Sequence, residues 1–158
     1  MGADLTQVSI LARREIEARI LSPVMKAMIQ EMGKDRAMAI LRPIIQSLAR
    51  ESGAQMAKLL GGNTLEDFAR SLSFWTREDA LRIDVLEQSK TRYRFNVTRC
   101  RYAEMYKELG IPENGVLLSC GRDSAMVEGF NPRIKFSRTR TIMEGADHCD
   151  FCYELQVS

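Results

Sequence analysis

With 158 residues, 23 Lys+Arg against 21 Asp+Glu, one His and four Cys, the chain has the length of one domain. A domain of that size buries roughly two-thirds of its unfolded surface and needs no disulfide or metal staple. The 45% hydrophobic fraction and net charge of +2 exclude fibrous and disordered classes, and interspersed acids leave no electrostatic case for nucleic acid.

No apolar run approaches the roughly 18 residues of a membrane span, and no basic segment leads into an apolar stretch at the N-terminus. The expectation is a cytoplasmic globular domain with reduced thiols rather than a disulfide framework. Met1-Gly2 with Thr6 meets the minimal myristoylation pattern, which is short enough to arise by chance.

From Thr6 to about Phe74, apolar residues recur at helical spacing: Val8, Ile10 and Leu11, then Ile16, Ile20 and Leu21. Ser22-Pro23 reads as an N-cap followed by proline at the first helical position, so a second helix is expected from Pro23 to a stop at Gly33. Asp35 can cap a third, carrying Met38, Ile40, Leu41, Ile44, Ile45 and Leu48. Pro43 should kink that helix or begin a new one. The methionines of this half read as core filling at helical spacing. Gly61-Gly62-Asn63 closes the segment, and Thr64-Leu65-Glu66-Asp67 is a near match to a capping box.

After Trp75 the period changes to two. Leu81, Ile83 and Val85 alternate with polar residues, as do Tyr93, Phe95 and Val97, and the polar 88–91 segment suits a hairpin. Tyr102, Met105, Tyr106 and Leu109 return to helical spacing, with Gly110 as stop. Another short helix is expected from Val116 to Val127. Strands are expected from Ile134 to Thr141 and from Cys149 to Val157, with Gly145 in the connection. The expected architecture is one α+β domain spanning 1–158. Its helical part, 6–74, packs on a mostly antiparallel sheet of about four strands in 75–158, which carries two inserted helices.

The reactive side chains fall in the second half. Cys100 ends a strand and opens a helix between Arg99 and Arg101, where the helix dipole favours a thiolate; it also fits a small buried residue at a junction. Cys120 and Asp123 share a face if their segment is helical. His148 is the only histidine and so the one side chain whose ordinary pKa suits proton transfer near neutrality. Strand alternation puts His148, Asp150 and Cys152 on one face and Cys149, Phe151 and Tyr153 on the other. A thiol–imidazole pair would therefore need His148 to meet Cys100 or Cys120 across the fold. Cys149-x-x-Cys152 has zinc-ligand spacing but no second pair to complete a site, so no metal or cofactor is expected. Arg138 and Arg140, on one strand face, can hold a substrate carboxylate in bidentate fashion.

The run from Asn96 to Gly110, with Cys100 at its centre, resembles the L-2-amino-thiazoline-4-carboxylic acid hydrolase family. So do Leu118-Ser119-Cys120 with Asp123, Glu128-Gly129-Phe130-Asn131-Pro132, and Thr139 to Phe151. The resemblance spans about Tyr93 to Tyr153. The Gly145-x-x-x-Cys149-x-Phe151 ending is also similar to small ligand-binding domains of the vinyl-reductase type. Cys152 departs from the family pattern, which speaks against a common Cys-x-x-Cys function.

The resemblance implies opening of a 2-aminothiazoline carboxylate ring to N-carbamoyl-L-cysteine, by water addition at C2 and C–S cleavage. The expected roles are Cys100 as nucleophile or as proton donor to the leaving sulfur, with Cys120 and Cys149 as further catalytic candidates. His148 would be the general acid/base. Asp123 or Asp150 would face the amidine, and Arg138 or Arg140 the carboxylate. The expected partner is a small molecule, with neither nucleic acid nor membrane, and a homo-oligomer remains open. Competing readings are a ligand-binding or sensor domain with thiols in its pocket, and a zinc-stabilised interaction domain.

Overall fold

The structure, a computed structural model, describes residues 7–156. The myristoylation pattern at the N-terminus and the end of the last expected strand, Val157, lie outside those residues. α1 (Ile10–Met32) begins at Ser9, whose Oγ accepts from the Ala12 N–H at 3.2 Å. It runs unbroken through Pro23, so the expected restart there does not occur. Ala18 and Met25, two turns apart on one face, are both buried. Packing along that face outweighs the one backbone hydrogen bond that proline removes. Ser22 does not cap; its Oγ accepts from Asn114 Nδ2 at 3.1 Å.

Gly33, at φ 83°, makes the corner that only glycine adopts freely, and α2 (Lys34–Leu60) follows at once. Asp35 lies inside its first turn rather than at its cap. α2 also passes through its proline, Pro43, with Leu41, Ile45, Ala49 and Gly53 buried at four-residue intervals. Gly61 ends it. Thr64 and Asp67 form the expected capping box of α3 (Leu65–Ser71), and the short α4 (Ser73–Thr76) leads into the sheet.

Four antiparallel strands lie in the order β1-β2-β4-β3: β1 (Leu81–Gln88), β2 (Arg92–Cys100), β3 (Ile134–Ser137) and β4 (Cys149–Leu155). The fold is α+β as expected. Tyr93, Phe95 and Val97 of β2 and Cys149 and Tyr153 of β4 are buried against the helices. Phe95 stacks on Phe151 with centroids 4.9 Å apart, and Phe68 of α3 meets Tyr153 at 4.6 Å. Each such buried ring contributes about 1.5–3 kcal/mol.

The expected helix from Val116 to Val127 is two helices. α6 (Pro112–Leu118) stops at Ser119 (φ −121°, ψ −75°), a 3₁₀ turn covers Cys120–Arg122, and α7 (Asp123–Phe130) follows. Arg122 Nε donates to the Leu118 carbonyl at 2.7 Å, which satisfies a group that the break frees. Between β2 and α6 lies α5 (Arg101–Glu108).

The strand expected to reach Thr141 ends at Ser137. Beyond it, the Asp150 carboxylate accepts the Thr139 and Arg140 N–H groups, both at 2.9 Å, and the Thr139 hydroxyl at 2.5 Å. These bonds draw the chain off the sheet, so Arg138 and Arg140 do not share a strand face.

α2 and α7 cross with almost no separation. A Cβ on Gly53 would run into the Met126 carbonyl, and one on Gly129 into the Arg50 carbonyl. Gly53→Ala should destabilise the protein by about 1–3 kcal/mol through forced separation of the two helices. Urea unfolding measures it; an unchanged midpoint would show that the crossing can relax.

Candidate functional site

Between the sheet and helices α1, α2 and α7 lies a partly enclosed cavity of about 90 Å³, on a measure by which one water needs about 10–15 Å³. Three of the four cysteines line it: Cys100 from the end of β2, Cys120 from the 3₁₀ turn and Cys149 from the start of β4. Asp123 and Arg138 complete its polar wall, and Trp75 and Tyr102 are among its other lining groups.

Cys100 caps α5, its Sγ accepting from the Ala103 N–H at 3.4 Å. The arginines beside it do not serve it. Arg99 binds Asp79 at 2.8 Å and Glu104 at 2.9 Å, and Arg101 donates to the Glu78 carbonyl at 2.6 Å. Burial, the largest effect, therefore prevails over the helix-end N–H groups and pushes the Cys100 thiol from 9.0 up to about 11. Burial raises Cys120 further still. It raises Cys149 too, against the N–H of Ile142, which Sγ accepts at 3.2 Å. All three sulfurs are thiols at neutral pH.

Asp123, the first residue of α7, is ion-paired with Arg138 Nη1. Burial raises the carboxyl's pKa, and the guanidinium opposes that rise. Arg138 is fixed on three sides: Nη2 donates to the Cys120 carbonyl at 3.3 Å, and its guanidinium lies 5.4 Å from the Phe136 ring centre and 5.1 Å from that of Phe151.

The other sequence candidates lie elsewhere. His148 is not among the cavity's lining residues; its Nδ1 lies 2.7 Å from Asp147 Oδ1. Asp150 holds the loop after β3, and Arg140 is exposed on that loop. Burial alone would raise the Asp150 carboxyl, but the bonds from Thr139 and Arg140 bring it down from 3.8 to about 2. Cys152 lines a shallow depression with Arg94 and Asn96.

Two lining residues escaped the sequence reading. Arg14 falls at four-residue spacing between Ile10 and Ala18, a charge on the buried face of α1. Arg122 is buried in the 3₁₀ turn. The spacing of Arg14 was the only signal for either.

The α+β domain thus holds a small, partly enclosed cavity whose wall carries three protonated thiols, the Asp123–Arg138 ion pair, Arg14 and Arg122. Residues 13–153 match the family model for L-2-amino-thiazoline-4-carboxylic acid hydrolase, and the chain belongs to that family. No curated protein matches the sequence.

Among solved structures, the chain is similar to the phenol-responsive sensory domain of the transcription activator PoxR with phenol. The TM-score is 0.55 and the identity 14%, over 86% of this chain and 73% of that one. It is also similar to a trafficking protein particle complex subunit 3 from Naegleria fowleri covalently bound to palmitic acid. There the TM-score is 0.52 and the identity 15%, over 90% and 97% of the two chains. At these identities the likeness is one of fold.

A rise from 9.0 to about 11 at Cys100 cuts its thiolate fraction at pH 8 about 100-fold. Iodoacetamide at that pH should label Cys100 at least that much more slowly in the folded protein than in urea, as read by peptide mass. Equal rates would contradict a buried, protonated thiol.

Proposed function

We propose that this protein hydrolyses a 2-aminothiazoline-4-carboxylate-type substrate to N-carbamoyl-L-cysteine, with Asp123 and Cys100 as the proton-handling groups. The observation that carries this reading is the shared cavity: a half-buried carboxylate held by Arg138, with protonated thiols on the same wall. Family membership supports the reaction class.

Water adds to C2 of the ring, giving up a proton to Asp123, whose raised pKa makes it a better base than an exposed aspartate. The tetrahedral centre then collapses, the C–S bond breaks, and Cys100 supplies the proton to the departing sulfur. Asp123 returns a proton to Cys100. Of the two water protons, one ends on the ring nitrogen and the other on sulfur, and the oxygen becomes the carbamoyl carbonyl. A thiol near 11 is a weak acid, yet the burial that raises it raises the leaving thiolate's basicity as well. Covalent attack by Cys100 would need the thiolate that burial suppresses, so the water route is favoured. His148 has no part in this scheme.

Asp123→Asn and Cys100→Ala should each lower kcat/KM by about 10²–10⁴-fold, with far-UV circular dichroism as the folding control, while His148→Ala stays within about twofold. Asp123 must be ionised to act, so activity falls toward acid with a midpoint above the ordinary 3.8. Wild-type turnover by Cys100→Ala, or an acid limb that moves with His148→Ala, would reject the assignment.

A second reading, a binding domain without turnover, is favoured by the same protonated thiols, since none is poised for covalent chemistry. The phenol held by the PoxR sensory domain is an example of such use on a similar fold. Incubation with the aminothiazoline carboxylate and mass detection of carbamoyl-cysteine separates the two: saturable binding with no product favours the second.

A further inference from the structure

We infer that Arg14 and Arg122 form an anion subsite at the edge of the thiol cavity, which takes the carboxylate of a small-molecule ligand. The inference rests on the reading of the cavity as a ligand site and names the group by which the ligand is selected. Both guanidiniums line the cavity, and both also line the larger groove between α1 and α2 that adjoins it. They come from opposite halves of the chain and share one counter-ion. Arg14 Nη1 lies 3.0 and 2.9 Å from the two oxygens of Glu17, and Arg122 Nη2 lies 2.9 Å from Glu17 Oε2. Their side chains are 15% and 9% exposed.

The charge count does not close. Arg138 is paired with Asp123, and Arg14 and Arg122 share the single carboxylate of Glu17, so three cations meet two carboxylates here. Arg13 and Glu51, which line the adjoining groove, add one charge of each sign and leave that excess unchanged. A buried charge without a counter-ion is costly, and a bound carboxylate removes that cost.

A second observation points the same way. Tyr106 is fully buried, and its hydroxyl is the one buried side-chain polar atom without a hydrogen-bond partner among the described residues. Burial is the largest influence on it, and Arg14, Glu17, Arg122 and Cys120 act on it as well. A buried hydroxyl costs about 1–3 kcal/mol when unpaired. Tyr106 belongs to α5 and lines neither the cavity nor the groove, so it is a neighbour of the subsite and not part of its wall. Arg138, committed to Asp123 and the Cys120 carbonyl, is the poorer candidate for the ligand's carboxylate.

The test compares two probes, 2-aminothiazoline-4-carboxylate and 2-amino-2-thiazoline, which lacks the carboxylate, by calorimetric binding and by product mass. Wild-type protein should bind the first at least tenfold more tightly. Arg14→Gln should weaken the first about 10- to 100-fold and change the second by less than twofold. Arg14→Lys, which keeps the charge, should recover part of the loss, and thermal melting checks that both variants fold.

Carboxylate-dependent, Arg14-sensitive binding without product would sink the hydrolase reading and leave the subsite standing. Product formed with equal KM from both probes, or equal weakening of both by Arg14→Gln, would overturn the subsite and leave hydrolysis standing. If wild type binds neither probe, both fall.

Discussion

The half-buried ion pair of Asp123 and Arg138 sets the character of the cavity. Removing two charges from water costs several kcal/mol per ion, and their mutual attraction offsets this only when the remaining hydrogen-bonding groups are satisfied. The chain meets that condition with local means. Asp123 sits in the first turn of α7, where the positive helix end favours a carboxylate, and Arg138 donates to the Cys120 carbonyl and lies beside two aromatic rings. Because one partner begins α7 and the other follows β3, the pair also fixes the spacing between helix and sheet across which the thiols face one another.

That spacing leaves an open volume, and part of its wall is made of small residues. Ala49 and Ser52 of α2, Val97 of β2 and the three cysteines present short side chains, while the glycine crossing of α2 and α7 brings the two backbones together a turn or so away. Large rings fill the neighbouring layer, with Phe68, Phe95, Phe130 and Tyr153 in one cluster. A hydrophobic sheet face packed on helices would ordinarily close completely at native density. Here it closes around Phe95 and stays open around Cys100. Burial at the cavity keeps the sulfurs protonated and raises the pKa of Asp123.

The sheet was legible from its alternation, because half-buried strands must present apolar residues on one side only; Tyr93, Phe95 and Val97 carry that pattern without interruption. Pro23 and Pro43 misled because local chemistry is a weak argument against a long helix whose buried face continues on both sides. Arg138 and Arg140 misled for the opposite reason: alternation continued, but the Asp150 carboxylate offered the backbone a stronger partner than the strand edge. The three cavity thiols were legible as residue types and through the family resemblance. Their ionisation was not, since it turned on Arg99 and Arg101 pointing toward Asp79, Glu104 and Glu78 instead of toward Cys100. Alternation did place His148 on the opposite side of β4 from Cys149, but only the folded chain shows that the cavity lies on the Cys149 side.

The helical half looked chemically silent because its apolar residues, methionines included, read as core filling at helical spacing. Arg14 breaks that rule at a position where neighbours four residues away on either side, Ile10 and Ala18, are buried. A guanidinium on such a face is retained at a cost, and Glu17 can answer only one of the two that converge there. The thiol-bearing half therefore supplies Cys100, Cys120, Cys149, Asp123 and Arg138 to the cavity wall, while the two arginines that share Glu17 come one from each half. Arg14 also acts on Asp123 and lowers its pKa, so a substitution on α1 that retuned anion binding would raise that carboxyl's pKa as well.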